Sequence, residues 1–182
     1  MRLFVAVGLP KEVSEHLHEL AVALASEPSA KVALAAGSHL TLKFLGEQPE
    51  EKLEEIKSLL SEISFEPFEG ALNGIGWFPG GKRMRVIWIG IKPEEAFSKL
   101  QQKVESSLKS FGKAEERAFS PHITLARVKA IFDKAAFAKA VTELGKRVKQ
   151  LRFVVTSFSL MKSTLTKKGA VYEELAKFVA KA

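Results

Sequence analysis

Two short stretches of this chain repeat one pattern, and that repetition restricts the fold more than any other feature of the sequence. The stretch GSHLTLKFLGE covers residues 37–47, and SPHITLARV covers residues 120–128. In each, apolar and polar residues alternate, which is typical of a β-strand with one face in a core. A histidine followed two residues later by a threonine lies on the polar face both times. The sequence therefore predicts two matching strands whose histidines are 83 residues apart (122 − 39 = 83).

Strict alternation also assigns a face to the residues that follow each histidine. On the first strand it places Phe44 in the core and Lys43 on the same face as His39. On the second strand it places Arg127 opposite His122, because the two are five positions apart. Arg127 would reach the face of His122 only through a β-bulge or at the strand end.

The rest of the sequence alternates strand patterns with helix patterns. Apolar residues at helical spacing predict four helices, at about residues 10–26, 49–64, 93–111 and 133–145. Strand patterns predict an opening strand and two hairpins, in the stretches RLFVAVGL, FEPFEGALNGIGWFP with MRVIWIGI, and LRFVVTSFSLMKSTL with AVYEELAKFVA. Hairpins mixed with helices favour an α+β fold with mostly antiparallel sheets. Because each half supplies similar elements in a similar order, we expect a duplicated unit.

Composition excludes some kinds of site and favours others. The chain has no cysteine, which excludes disulfides, thiol nucleophiles and thiolate metal ligands. Its formal charge of +7 (28 Lys and Arg against 21 Asp and Glu) favours a polyanionic partner such as RNA. No apolar run approaches the roughly 18 residues of a membrane span, and the first residues do not have the pattern of a signal peptide. The protein is therefore expected to be cytoplasmic, without a membrane partner.

The paired histidines and threonines suit acid–base chemistry on a phosphate. Residues i and i+2 of a strand lie on one face, so each strand can present an imidazole and a hydroxyl to a shared cleft. Near neutral pH one imidazole can accept a proton while the other donates one, and phosphodiester hydrolysis uses both roles. Such a scheme requires no metal. A zinc site is the alternative, but no third or fourth ligand lies nearby in the sequence.

Aromatic residues of the predicted central hairpin have two possible roles. Trp77, Phe78 and Trp88 lie in apolar strand patterns and are expected in the core. Phe78 ends its strand beside a glycine-rich turn, where it could instead stack on a base.

The sequence resembles the two-histidine (2H) phosphoesterase family, and within it the RNA 2′,3′-cyclic phosphodiesterases once described as 2′-5′ RNA ligases. The resemblance rests on RLFVAVGLP, HLTLKFLGE, VIWIGI, FSPHITLARV and STLTKKGAVYEEL. It implies a single domain over residues 1–182, made of two intertwined lobes related by a pseudo-two-fold axis. A central cleft would then receive one motif from each lobe.

The same resemblance implies a role for each site residue. His39 would be the general acid that protonates the leaving 3′ oxygen, and His122 the general base that activates water. Thr41 and Thr124 would bind the phosphate, and Arg127 would help to hold it in spite of strict alternation. No metal and no cofactor are implied. One departure is the small, apolar segment KVALAAGS before the first motif, where the family often has an aromatic, proline-bearing segment.

The implied partner is RNA with a 2′,3′-cyclic phosphate end, with tRNA halves among the candidates, and the implied product carries a 2′-phosphate. Reverse ligation to a 2′-5′ linkage would use the same site. Two alternatives stay open: a phosphodiesterase for small cyclic nucleotides, and a non-catalytic protein that binds RNA ends. The protein is expected to be a monomer.

Overall fold

Strands and helices alternate along the chain in the order that the sequence predicts. The computed structural model describes residues 1–35, 37–81, 83–113, 118–167 and 169–181. The elements in these ranges are β1 (Arg2–Gly8), α1 (Lys11–Ala25), β2 (Ala30–Leu34), β3 (His39–Glu47), a 3₁₀ turn (Glu50–Lys52), α2 (Leu53–Ser61), β4 (Phe68–Gly80), β5 (Arg83–Lys92), α3 (Glu94–Ser107), β6 (His122–Ile131), α4 (Lys134–Gly145), β7 (Arg152–Val155), β8 (Ser157–Thr166) and β9 (Gly169–Val179).

All four predicted helices are present, and their ends follow local sequence signals. Pro10 and Pro93 immediately precede α1 and α3, where proline favours a helix start. Asp133 caps α4, because its carboxylate accepts a hydrogen bond from the backbone N–H of Ala136 at 2.9 Å. The second predicted helix begins as a 3₁₀ turn and ends at Ser61, three residues earlier than expected.

Two antiparallel sheets carry the fold, and they repeat one arrangement. The first sheet has the strand order β3-β1-β8-β9, and the second has β2-β6-β5-β4-β7. Each histidine strand, β3 or β6, pairs with a strand that is followed by a helix, β1 or β5. In both pairs the histidine lies opposite a glycine, Gly8 or Gly90. The α+β fold with duplicated halves is thereby confirmed.

One predicted strand is two strands in different sheets. The stretch LRFVVTSFSLMKSTL divides at Thr156: β7 before it pairs with β4, and β8 after it pairs with β1. Buried apolar residues alternate within each part, Phe153 and Val155 in one and Phe158 and Leu160 in the other. The step of three from Val155 to Phe158 changes the phase of the alternation, and this local sign of the division was missed in the prediction of one strand. The sheet that each part joins depends on pairing partners far away in the chain.

The helices and the apolar core lie on one face of each sheet. Helix α1 packs on β2 and β6, α3 on β3 and β5, and α4 on β4. The largest fully buried side chains include Phe97 of α3, Phe137 of α4 and Phe158 of β8. The opposite face of each sheet carries its histidine, and we call it the histidine face. Two of its β1 residues, Phe4 and Ala6, are buried without belonging to the core cluster.

Candidate active site

A β-bulge follows the first histidine–threonine pair. Along β1 and β3, His39 lies opposite Gly8 and Thr41 opposite Ala6, as regular antiparallel pairing requires. The register then shifts by one, so that Leu42 is an extra residue in β3. Between this bulge and a second register shift at Leu45, Lys43 and Phe44 point to the faces opposite to those that strict alternation assigns.

The bulge overturns the predicted faces of Lys43 and Phe44. Lys43 is only 5% exposed and its Nζ lies 2.5 Å from Oε1 of Glu105 on α3. Phe44 lies opposite Phe4 on the histidine face and is 60% exposed. The loop after α3 packs directly on the bulged strand, since a Cβ on Gly112 (φ +74°) would come within 2.5 Å of the Phe44 carbonyl oxygen. Strict alternation was therefore wrong at both positions, because it allows for no extra residue.

The second histidine strand carries an equivalent bulge. His122 lies opposite Gly90 and Thr124 opposite Trp88, and the register then shifts past Leu125. Arg127 consequently lies opposite Val86, on the histidine face. Strict alternation placed Arg127 on the face opposite His122, and this expectation was wrong. The register instead places Arg127 on the same face as His122, where the family resemblance implies it should be. Arg127 and Phe44 are thus equivalent residues, each five positions after its histidine.

The His39 ring is enclosed by aromatic rings. Its centroid lies 4.9 Å from that of Phe4 and 5.0 Å from that of Tyr172, which meets it edge-on. Among the described residues no group forms a hydrogen bond with this imidazole. Burial lowers the pKa of His39 from 6.5 to about 4, because the charged form loses solvation among apolar rings. In the protein without substrate His39 is therefore neutral at pH 7.

His122 has a defined ring orientation. Its Nδ1 lies 2.7 Å from the backbone carbonyl oxygen of Ser120. A carbonyl only accepts, so Nδ1 donates its proton, and in the neutral ring Nε2 carries the lone pair. Phe78 meets the ring edge-on at 5.0 Å, and Trp88 lies 6.0 Å away. Phe78 and Trp88 also contact each other at 5.1 Å, so both line the second histidine rather than the central core.

The two motifs lie close together where the sheets meet. Strands β3 and β6 are in contact. A cavity of about 120 Å³ is lined by Thr124 and by Ser38, the neighbour of His39, together with Leu17, His18 and Ala21 of α1; neither His39 nor His122 is part of its wall. Thr41 and Thr124 are half-buried. The contact between β3 and β6 therefore places the two motifs on neighbouring strands of the two sheets. The unusual segment 31–38 forms part of β2 and of this cavity wall, and its residue Ala36 lies outside the described residues.

Sequence reasoning missed the residues that enclose His39. Phe4 belongs to the opening strand, where it alternates with the core residues Leu3 and Val5 and therefore faces away from the core. That alternation was a usable signal for Phe4. Tyr172 lies on β9, 133 residues after His39 in the chain (172 − 39 = 133), and no local sequence pattern predicts its contact with His39.

In the ranges that the structure describes, no three His, Cys, Asp or Glu side chains are grouped so that they could hold a metal ion. The helices within those same ranges are all too short or too polar to cross a bilayer.

The enclosed state of His39 predicts a pH-dependent loss of stability. Between about pH 6.5 and about pH 4 the unfolded chain binds a proton at this ring, whereas the folded protein keeps it neutral. The unfolded state binds more protons in this window, so stability is complete above it and falls with pH inside it. Unfolding in urea at about pH 7.5 and pH 5 should show that wild type loses up to about 2 kcal/mol more than His39→Gln. Equal losses in the two proteins would contradict this account of the site.

Comparison with known proteins agrees with this geometry. The model of the 2′-5′ RNA ligase superfamily matches residues 9–166. An RNA 2′,3′-cyclic phosphodiesterase of Archaeoglobus fulgidus is 35% identical over 98% of this chain and 99% of its own length. One of Methanocaldococcus jannaschii is 35% identical over 95% and 97% of the two chains.

Solved structures show the same fold. The crystal structure of a Thermus thermophilus protein, TT0787, superposes with a TM-score of 0.80 at 32% identity, over 98% of this chain and 97% of that one. Escherichia coli LigT complexed with 3′-AMP superposes with a TM-score of 0.75 at 26% identity, over 100% and 98% of the two chains. Since the family model and these relatives span nearly the whole chain, including both histidine strands, the protein belongs to the 2′-5′ RNA ligase superfamily.

Proposed function

We propose that this protein hydrolyses RNA ends that carry a 2′,3′-cyclic phosphate and leaves a 2′-phosphate. One observation carries the proposal: two equivalent bulged strands meet with a histidine and a threonine on the same face of each. Relatives that span nearly the whole chain are named for RNA 2′,3′-cyclic phosphodiesterase activity, which supports this substrate class. The remaining assignments follow from the chemistry of the residues at the site.

His122 is suited to the general base. Because its Nδ1–H donates to the Ser120 carbonyl, Nε2 is the nitrogen free to take a proton from water. The water oxygen then bonds to phosphorus while the bond from phosphorus to the 3′ oxygen breaks. The proton removed from water stays on Nε2 of His122 until it returns to solvent.

His39 is suited to the general acid once substrate is bound. Its enclosed ring is neutral in the free protein at pH 7. A cyclic phosphodiester carries one negative charge, and an anion within a few ångströms favours the imidazolium form, so binding raises the pKa of His39. The ring then takes up a proton along with the substrate and delivers it to the departing 3′ oxygen. Because no carboxylate or carbonyl group in the described part of the chain accepts a hydrogen bond from this ring, it can direct that proton to the substrate.

The other polar groups on the histidine faces are suited to hold the phosphate. The hydroxyls of Thr41 and Thr124 lie two residues beyond the histidines and can donate to phosphate oxygens. Arg127 follows on the same face as His122 and is exposed, so its guanidinium can pair with the non-bridging oxygens. These donors would stabilise the charge that builds up on phosphorus during attack.

The proposed reaction needs no metal, and the same groups could serve ligation. A 5′-hydroxyl would take the place of water: His122 would remove its proton, the 5′ oxygen would bond to phosphorus, and the bond to the 3′ oxygen would break as His39 protonates that oxygen. This step would join tRNA halves through a 2′-5′ linkage. Water at its full concentration favours hydrolysis over attack by a 5′-hydroxyl, so the proposal is hydrolysis first.

The test is product analysis of an oligoribonucleotide with a 2′,3′-cyclic phosphate end, incubated with the purified protein in EDTA. We expect ring opening to a 2′-phosphate, identified by mass and by its resistance to enzymes specific for 3′-phosphates. A matched oligonucleotide with a linear 2′-phosphate serves as the unreactive control. A 3′-phosphate product, or loss of activity in EDTA that added metal restores, would contradict the proposed mechanism. Binding without turnover would instead identify a protein that only binds RNA ends.

A further inference from the structure

The two halves of the site differ at one equivalent position. Phe44 and Arg127 each follow a bulge, each lies five residues after its histidine, and each is on the histidine face. One is an exposed aromatic ring and the other an exposed cation. An aromatic ring in one half and a cation at the equivalent position of the other half can distinguish the two ends of an asymmetric ligand.

The first sheet presents an apolar surface beside His39. The Phe44 ring lies 6.1 Å from that of Phe4, which is 2% exposed and lies beneath the exposed rings. Phe4 also contacts Tyr172 at 5.2 Å. The ring of Phe44 is 60% exposed and packs against the buried ring of Phe4, and nucleobases stack on exposed aromatic rings of this kind. A nucleobase is the part of an RNA end that matches this surface.

The second sheet presents cations on its histidine face beyond Arg127. Ala33 lies opposite Arg127, so Lys31, two residues earlier on β2, shares that face. Arg83 lies opposite Gly80, and because Arg85 is an extra residue in β5, Arg83 shares the face of Phe78. Lys31, Arg83 and Arg127 are all exposed. Within the described ranges none of the three forms an ion pair with a carboxylate.

We propose that these two halves set the direction in which RNA lies across the site. The terminal base stacks on Phe44 over the first sheet, and the upstream chain follows β6 over the second sheet with its phosphates on Lys31 and Arg83. This inference rests on the proposed function, since it positions the base and the upstream chain relative to a cyclic phosphate bound between the histidines. Unpaired cations on a sheet face match the phosphates of a single strand, and an uncharged ring matches the base.

The experiment compares a 2′,3′-cyclic mononucleotide with a short oligoribonucleotide that ends in the same cyclic nucleotide. Lys31→Ala/Arg83→Ala should lower kcat/KM for the oligonucleotide about 10-fold at low salt and leave the mononucleotide unchanged. The slope of log Kd against log salt for the oligonucleotide product should become shallower by about 1.4, since each lost contact accounts for about 0.7. Lys109→Ala/Lys139→Ala removes the same charge from exposed positions outside the sheets and is the matched control.

Phe44→Ala should lower kcat/KM about 10-fold for both substrates, because both carry the terminal base. Phe44→Trp should retain activity. Val154→Ala, at another exposed apolar strand position, is the control. The proposed direction is wrong if the lysine–arginine variant impairs both substrates equally, if the Lys109 and Lys139 control does the same, or if Phe44→Ala affects the oligonucleotide alone. If wild type cleaves neither substrate, the proposed function is wrong. The dependence of Kd on salt for the oligonucleotide product then still decides whether Lys31 and Arg83 bind its phosphates.

Discussion

His39→Ala and His122→Ala are each expected to lower kcat for ring opening by about 10²–10⁴, the usual contribution of a positioned acid or base. Because the two imidazoles act in the same chemical step, the kcat of the double variant should be little lower than that of the less active single variant. Binding of the 2′-phosphate product should persist, since Thr41, Thr124 and Arg127 remain. The measurement is single-turnover hydrolysis, with urea unfolding as the control that each variant is folded.

The pH profiles distinguish the roles of the two rings. Wild type should show a bell, because one ring must be neutral and the other charged. The ionisation of His39 should appear at higher pH in the kcat profile than in the kcat/KM profile. The reason is that kcat/KM reports the free protein, in which the pKa of His39 is lowered to about 4, whereas kcat reports the complex, in which the bound anion is proposed to raise that pKa. A flat wild-type profile between about pH 5 and 8 would rule out catalysis by paired histidines.

The second large effect is expected at the buried ion pair under the first bulge. Glu105→Ala should destabilise the protein by about 3 kcal/mol, because it leaves the Lys43 ammonium buried and unpaired. Lys43→Met in the wild-type background should cost much less, since a straight apolar chain can replace the lysine stem. Adding Lys43→Met to Glu105→Ala should therefore recover most of the lost stability.

Urea unfolding of these variants is the measurement, and Glu95→Ala is the control because Glu95 forms an exposed ion pair with Lys99. A cost for Glu105→Ala no larger than that for Glu95→Ala would show that the buried pair does not stabilise the bulged strand. The pair matters for the site, because Lys43 points inward only if Phe44 points outward. Weakening it is expected to disturb Phe44 and His39 together.

Much of this protein can be predicted from local sequence. Periodicity places all four helices, and the charges and prolines near their predicted first residues agree with where the helices begin. The two copies of histidine, aliphatic residue, threonine and leucine predict equivalent strands, because a strand has a two-residue period that keeps i and i+2 on one face. His39 with Thr41 and His122 with Thr124 follow directly from that period, and the resemblance that they carry leads to the family.

Only the tertiary structure decides which face of the sheet each residue after the threonine of a motif takes. The bulges at Leu42 and Leu125 reverse the faces of Phe44 and Arg127, and a bulge arises from the register with the neighbouring strand rather than from hydropathy. Lys43 enters the core because Glu105 of α3 lies there to meet it. The sheets that β7 and β8 join, and the contact of Tyr172 with His39, depend on strands that the sequence separates widely. The sequence by itself determined the chemistry available at the site, and long-range strand pairing determined which of those groups face it.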